Sequence, residues 1–296
     1  MERVPIDPSL AEEGSRRAAD KADIWYRVAR QWKGIGPPLR PVAEDNGFYT
    51  AAIDTWVQAN GPPRVLLLGV TRELYLLPWP QGTDFLAVDR TPAMIDAVWP
   101  GPKDAAYCAD WTTMALPGGS RDIVLCDGGM ELLRYPQELQ RLVCILRRVL
   151  SEGGLCILRL YVLPSQRESP ETVLRDFVQG RVSNVNILKL RLGMALQDTR
   201  TEGVQRQTIW DAFHAAVPEP ERLGPQIGWS VEQMHIIDAY RDCPDRFFFL
   251  SVADLRDLFC ASPGGFQLES VHVPSYELGD RCPTVVLRCR PALASD

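Results

Sequence analysis

Two short apolar runs end in residue types that could handle a charged or hydroxylated ligand. Val65-Leu66-Leu67-Leu68 runs into Gly69-Val70-Thr71, and Leu86-Ala87-Val88 ends in Asp89, 20 residues past Gly69. A glycine there lets backbone approach a ligand where the next helix begins. A carboxylate at the end of the next strand can take two ribose hydroxyls. Further on, Cys108-Ala109-Asp110-Trp111 offers an acceptor for an exocyclic amine beside an aromatic face. Cys126-Asp127-Gly128-Gly129 supplies another carboxylate followed by small residues. Each aspartate alone also reads as a helix N-cap. In order and at this spacing, the four point to a ligand at the carboxyl ends of parallel strands, where strand order reverses.

The elements that must position these residues follow from hydrophobic patterning. The runs at 65–68, 85–88, 105–108, 123–126 and 155–158 are continuously apolar, as expected of strands covered on both faces. Crossover helices fit between them, clearest at Pro136–Leu150, where Leu139, Leu142, Val143, Leu146 and Val149 keep helical spacing before Gly153-Gly154. Strand and helix alternate in the doubly wound manner. Residues 1–63 read as an N-terminal helical cap: one helix over Ala18–Trp32, then another from about Phe48 to Ala59 after Asp45-Asn46-Gly47. Residues 64–162 form the α/β core, and 163–250 a helical lid insertion too long and patterned to be a loop. Three helical stretches are predicted in it: Glu171–Gln179 running on toward Leu196, Gly203–Ala216, and Val231–Tyr240 opened by a Ser230-Val231-Glu232-Gln233 capping box. Residues 251–296 supply a helix and two closing strands, 266–271 and 284–289, expected to pair antiparallel across a tight link at Glu277-Leu278-Gly279-Asp280.

On these motifs, residues 64–160 resemble a class I S-adenosylmethionine-dependent methyltransferase. Val65–Thr71 stands where that family has its glycine-rich first loop, and Leu86–Ile95 where it has its ribose-binding strand and following helix. Ala109-Asp110-Trp111 is similar to its adenine-binding turn, and Arg121–Asp127 to its fourth motif. Leu146–Gly154 follows its usual helix ending before strand five. The resemblance implies a mostly parallel, seven-stranded, Rossmann-like sheet, with S-adenosylmethionine as the cofactor. It further implies that Gly69, Val70 and Thr71 form the first cofactor loop, that Asp89, followed by Arg90, binds the ribose, and that Asp110 takes the adenine amine. Met94 and Trp111 would flank the ring, with Asp127 and Gly128 near the methionine end. The family usually has two or three glycines in the first loop, whereas Gly69 stands alone before Val70-Thr71-Arg72-Glu73. Either Thr71 contacts the carboxylate end along a tighter path, or cofactor binding is weakened.

For the acceptor side, His214 and His235 are candidate bases, needed only if the nucleophile must lose a proton. His272, at the end of a closing strand, reads as structural. Tyr240 and Arg241 could grip a carboxylate or phosphate, and Tyr26 in the helical cap could touch the methionine moiety or the acceptor. The balance of 32 Lys+Arg against 38 Asp+Glu gives no drive toward nucleic acid or anionic lipid. Without an apolar run of membrane-spanning length or a signal-like start, the expectation is a cytoplasmic protein. The 8 cysteines include no C-x-x-C pair, read as small buried thiols, and suggest no metal site. An arginine bias suggests a GC-rich bacterial genome. A nicotinamide dehydrogenase is disfavoured because only the first glycine of G-x-G-x-x-G is present. The reading is a methyltransferase acting on a small molecule; the alternative is a fold retained without methyl transfer, as a binding or scaffold subunit.

Overall fold

The computed structural model describes Trp32, residues 35–261 and residues 265–291. The helix expected over Ala18–Trp32, including Tyr26, lies outside these except for Trp32.

β1 (Arg64–Leu68), β2 (Asp84–Asp89), β3 (Ala106–Cys108), β4 (Arg121–Asp127) and β5 (Leu150–Arg159) pair parallel, in the spatial order β3-β2-β1-β4-β5. Order reverses between β1 and β4, which opens a crevice beyond their carboxyl ends. Val65, Leu66, Leu67, Ile123, Val124 and Leu125 have no exposed surface. Their alternate side chains feed two cores. Leu66, Val124 and Leu158 pack with Leu139, Leu142 and Leu146 of helix Gln137–Val149. Val65, Leu67 and Leu125 pack with Tyr49, Ile53 and Trp56 of helix Ala43–Asn60.

Helix Ala43–Asn60 begins five residues before the predicted start at Phe48. Local turn chemistry at Asp45-Asn46-Gly47 is overridden: Asp45 accepts the Val42 N–H at 2.9 Å and the Tyr276 hydroxyl at 3.1 Å, so it sits inside a helix anchored from afar.

A short antiparallel pair, β6 (Val204–Gln205) with β7 (Arg246–Phe247), lies in the helical segment after β5. The pattern predicted from Glu171 toward Leu196 is two helices, Pro170–Val178 and Val185–Leu196, separated where Gly180 takes φ +70° and Asn184 caps the second through Asn186 N–H at 2.9 Å. Arg206–Ala216 is helical, Val231–His235 continues as a 3-10 turn over Ile236–Tyr240, and an additional helix spans Pro220–Gln226. Val185–Leu196 is buried from Val185 to Ala195, covered on all sides rather than amphipathic. The segment is laced to the core by Phe248 N–H to the Glu131 carbonyl at 2.7 Å and Leu163 N–H to the Leu250 carbonyl at 3.0 Å.

Helix Val252–Cys260 then leads to β8 (Phe266–His272) and β9 (Thr284–Cys289), which pair antiparallel; β9 slots between β5 and β8 to complete a seven-stranded sheet. Their connection is longer than the tight link expected. It runs over residues 273–283, with Leu278 at φ +68°, because it dips inward to deliver Tyr276 to the buried Arg159 and Arg281 to the half-buried Glu168.

Leu142 sits fully buried between helix Gln137–Val149 and the sheet. Leu142→Ala should lower unfolding free energy by about 2–5 kcal/mol, read as a reduced denaturant midpoint.

Candidate functional site

Gly69 leaves β1 at φ +90° and donates its N–H to the Val88 carbonyl at 2.8 Å, folding the first loop back over the end of β2. The same carbonyl accepts Trp111 Nε1 at 2.6 Å. The Trp111 ring thus lies across the crevice: a Cβ on Gly69 would come within 3.8 Å of it, and one on Gly129 (φ +90°) within 2.9 Å. Asp89 holds the Thr91 N–H on Oδ1 at 2.8 Å, and burial pushes its carboxyl up against the opposing pull of that bond and of Arg90. Asp110 uses Oδ1 for the Thr112 N–H (2.7 Å) and hydroxyl (2.6 Å), an Asx turn at the surface.

Beyond these strand ends lies a cavity of about 180 Å³. Gly69, Val70, Thr71, Asp89, Met94, Trp111, Asp127 and Gly128 form its sheet side; Lys189, Arg206, Ile236, Ala239, Tyr240 and Phe247 form the opposite wall. A smaller cavity of about 60 Å³ is lined by Asp89, Arg90, Thr91, Asp110, Trp111, Leu132 and Leu133. The two share Asp89, Trp111 and Leu132.

Asp127 is engaged. Its Oδ1 accepts a hydrogen bond from Nε of Arg159, a fully buried guanidinium at the end of β5. Arg159 also donates to the Pro38 carbonyl at 2.7 Å and the Tyr276 hydroxyl at 3.2 Å, and lies 3.8 Å from Asp45 Oδ2. Tyr49 stitches the strand ends by donating to the Cys126 carbonyl at 2.7 Å and accepting the Arg159 N–H at 3.0 Å. Burial raises the Asp127 carboxyl, and Arg159 opposes that rise.

Neither candidate histidine lines the cavity. His214 takes its contacts at the Trp210 carbonyl (3.0 Å) and Asp238 (3.6 Å); His235 binds Asp238 at 2.8 Å and Glu221 at 3.2 Å, with its side chain 46% exposed. Arg241 turns to the same Asp238 at 3.4 Å and stacks on Trp210. Asp238 thus gathers all three on another side of the helical segment, leaving Tyr240 as the one member of that group on the cavity wall. Tyr26 lies outside the described residues.

Three charged groups not singled out from the sequence also line the cavity: Lys189, Glu131 and Arg206. Lys189 is 4% exposed, its ammonium 3.4 Å from Asn186 Oδ1 and 4.8 Å from the centre of the Tyr240 ring. Burial, with Arg206 adding to it, pushes Lys189 down to about 7. Glu131 is 6% exposed; one carboxylate oxygen accepts the Gly129 N–H at 3.1 Å, while Oε2 is buried with no hydrogen-bond partner. Burial pushes the Glu131 carboxyl up. The one signal for Lys189 in the sequence is a lysine inside the run Ile187-Leu188-Lys189-Leu190, apolar on both sides.

The residues present fit an adenosyl sulfonium cofactor. A strand-end carboxylate, an aromatic ring beside it and a positive-φ glycine line one cavity. Among the described residues no group of three or more His, Cys, Asp or Glu is placed to hold a metal ion, and no helix is long and apolar enough to cross a membrane.

Residues 66–158 match the family model of a methyltransferase domain. No curated protein matches the sequence. The fold is similar to that of a protein from Rhodobacter sphaeroides described as a putative Zn-dependent alcohol dehydrogenase, with 16% identity, 92% of this chain and 98% of that one covered, and a TM-score of 0.59. It is also similar to the CcbJ methyltransferase from Streptomyces caelestis, with 14% identity, 89% and 96% covered, and a TM-score of 0.50.

Lys189 also bears on stability. Its folded value lies near 7 and its unfolded value near 10.4, so the unfolded chain binds the extra proton between them, and stability rises with pH across that window. Lys189→Met removes this dependence. Its gain in denaturant midpoint over the parent should be greatest below pH 7 and shrink as pH approaches 10.

Proposed function

We propose that this chain, whose residues 66–158 match the model of a methyltransferase domain, is a class I S-adenosylmethionine-dependent methyltransferase that methylates a small organic acceptor enclosed between the sheet and residues 163–250. The observation that carries this reading is the single cavity joining the strand ends to an apolar wall of Ile236, Ala239 and Phe247. S-adenosylmethionine supplies an electrophilic methyl group on a sulfonium whose charge disappears as the methyl leaves. The protein's task is therefore alignment in a dry site more than charge stabilisation.

Asp89 would hold the ribose hydroxyls. Its ionised form, disfavoured by burial, would be restored by two donated hydrogen bonds. Asp110, with the oxygen its Asx turn leaves over, would take the adenine amine, with Met94 and Trp111 flanking the ring. Gly69, Val70 and Thr71 would line the methionine end. Asp127 would act at one remove, fixing Arg159 and the path of Gly128-Gly129, because its carboxylate is already committed. Residues 163–250 would serve as the substrate lid, with Leu39, Ile236 and Phe247 excluding water and Tyr240 facing the acceptor. A cytoplasmic setting suits eight free cysteines.

Calorimetric titration with S-adenosylhomocysteine tests the assignment. Asp89→Ala should weaken binding by about 1–3 kcal/mol through the loss of charge-assisted hydrogen bonds. Undiminished affinity in a folded variant would put the ribose elsewhere.

A further inference from the structure

We propose that Lys189 takes the proton from an acidic hydroxyl, that of a phenol or enol, on the molecule occupying the acceptor side of the cavity, while Glu131 Oε2 accepts a second hydrogen bond from that molecule. This rests on the function proposed above and names its substrate class.

Geometry carries it. Helix Val185–Leu196 buries Leu188 and Leu190 fully or nearly so and brings Lys189 between them to the cavity wall. Among the described residues no carboxylate lies within salt-bridge distance of its nitrogen, and the single amide oxygen at 3.4 Å is at the outer edge of a hydrogen bond. A buried ammonium so placed is costly, and the neutral amine, a proton acceptor, is the form the surroundings favour. Of the groups facing it, Arg206, from helix Arg206–Ala216, is a like charge that reinforces this; the Tyr240 ring face, from the 3-10 turn, pulls weakly the other way, toward the cation, and burial with Arg206 outweighs it. Glu131, Tyr161 and Asp127 line the cavity further along. On the neighbouring elements Glu168 and Asp176 are taken up by Arg191. Glu131 Oε2 is a buried acceptor that lacks a donor. The cavity thus presents two acceptors in a largely apolar and aromatic setting, which a flat molecule with hydrogen-bond donors would satisfy.

The proton balance is simple. The hydroxyl O–H bond breaks with its electron pair left on oxygen, and the proton bonds to Nζ. The cation so formed lies beside the new anion, together with Arg206. A base with pKa near the working pH matches an acidic hydroxyl, whereas an alkyl alcohol is far too weak an acid for it. An ionised hydroxyl is also the activated nucleophile that alkylation of oxygen requires.

The test uses the full chain carrying lysine labelled with carbon-13 at Cε. Four lysines, Lys21, Lys33, Lys103 and Lys189, give a simple spectrum. One signal should titrate near neutral pH and vanish in Lys189→Met. 4-Nitrophenol should move that signal to its ammonium position and, when bound, absorb as the phenolate at a pH about one unit below its midpoint in solution, a tenfold effect. The Met variant should abolish that shift, and Glu131→Gln should weaken binding of the probe. 4-Nitroanisole, which has no proton to give, should leave the lysine signal unmoved. Four lysines all titrating at ordinary values, a probe ionising identically in both proteins, or no bound probe would each overturn the proposal. S-adenosylhomocysteine titration of the same samples separates the two readings: retained binding with an ordinary lysine discards Lys189 as the base alone, whereas a folded parent that binds no cofactor discards the methyltransferase reading beneath it.

Discussion

The structure depends on one buried cation. Arg159 has no exposed surface, and a guanidinium so enclosed is tolerable only when charge and hydrogen bonds around it are nearly complete. Asp127 from β4 and Asp45 from helix Ala43–Asn60 supply the charge, and Pro38 and Tyr276 supply further acceptors. Four stretches distant in sequence are thereby fixed at one point: the segment before the first described helix, that helix, the sheet, and the β8–β9 connection. Tyr161 packs against Gly128 so closely that a Cβ there would lie 2.8 Å from its ring, which sets the path of Gly128-Gly129 and hence the space left for Trp111. The shape of the cavity floor is in this sense a product of electrostatics beneath it.

That dependence explains what could and could not be read from the sequence. β1, β2, β4 and β5 announce themselves by continuous apolar runs, and helix Gln137–Val149 by the spacing of Leu139, Leu142 and Leu146, because those signals are local; the run at 105–108, expected to be covered on both faces, is instead the edge strand β3, with Tyr107 and Cys108 exposed. Gly69, Asp89, Trp111 and Asp127 stand at strand ends and follow from where the strands stop. Asp127's attachment to Arg159, by contrast, is a pairing across 32 positions, and Asp45, which caps helix Ala43–Asn60 locally through the Val42 N–H, is also held by Tyr276, more than two hundred residues away. Nothing near either residue encodes these distant contacts.

The same limit applies to the acceptor side. His214 and His235 draw attention by residue type alone, yet Asp238 claims both. Lys189 looks like an ordinary helical lysine until the helix around it proves covered on every side. What makes it unusual is the desolvation imposed by the elements packed around its helix, a property of the assembled fold and not of the residue. Glu131 belongs to the same class: its backbone carbonyl anchors Phe248 while its side chain faces the cavity. The β4 exit and the returning chain are thus joined at the residue that would also meet the ligand.

The place of β9 has a consequence for biosynthesis. β5 is complete at Arg159, but its outer edge is paired only by Thr284–Cys289, more than a hundred residues further along the chain. While residues 160–283 emerge from the ribosome, that edge presents unpaired amides and carbonyls flanked by fully buried-type side chains, an open template for another chain. A nascent chain stalled or truncated before Thr284 would keep it exposed. Demand for chaperones, and the danger of aggregation, should therefore be concentrated in the interval between synthesis of Arg159 and of Thr284, after the five parallel strands have already been made.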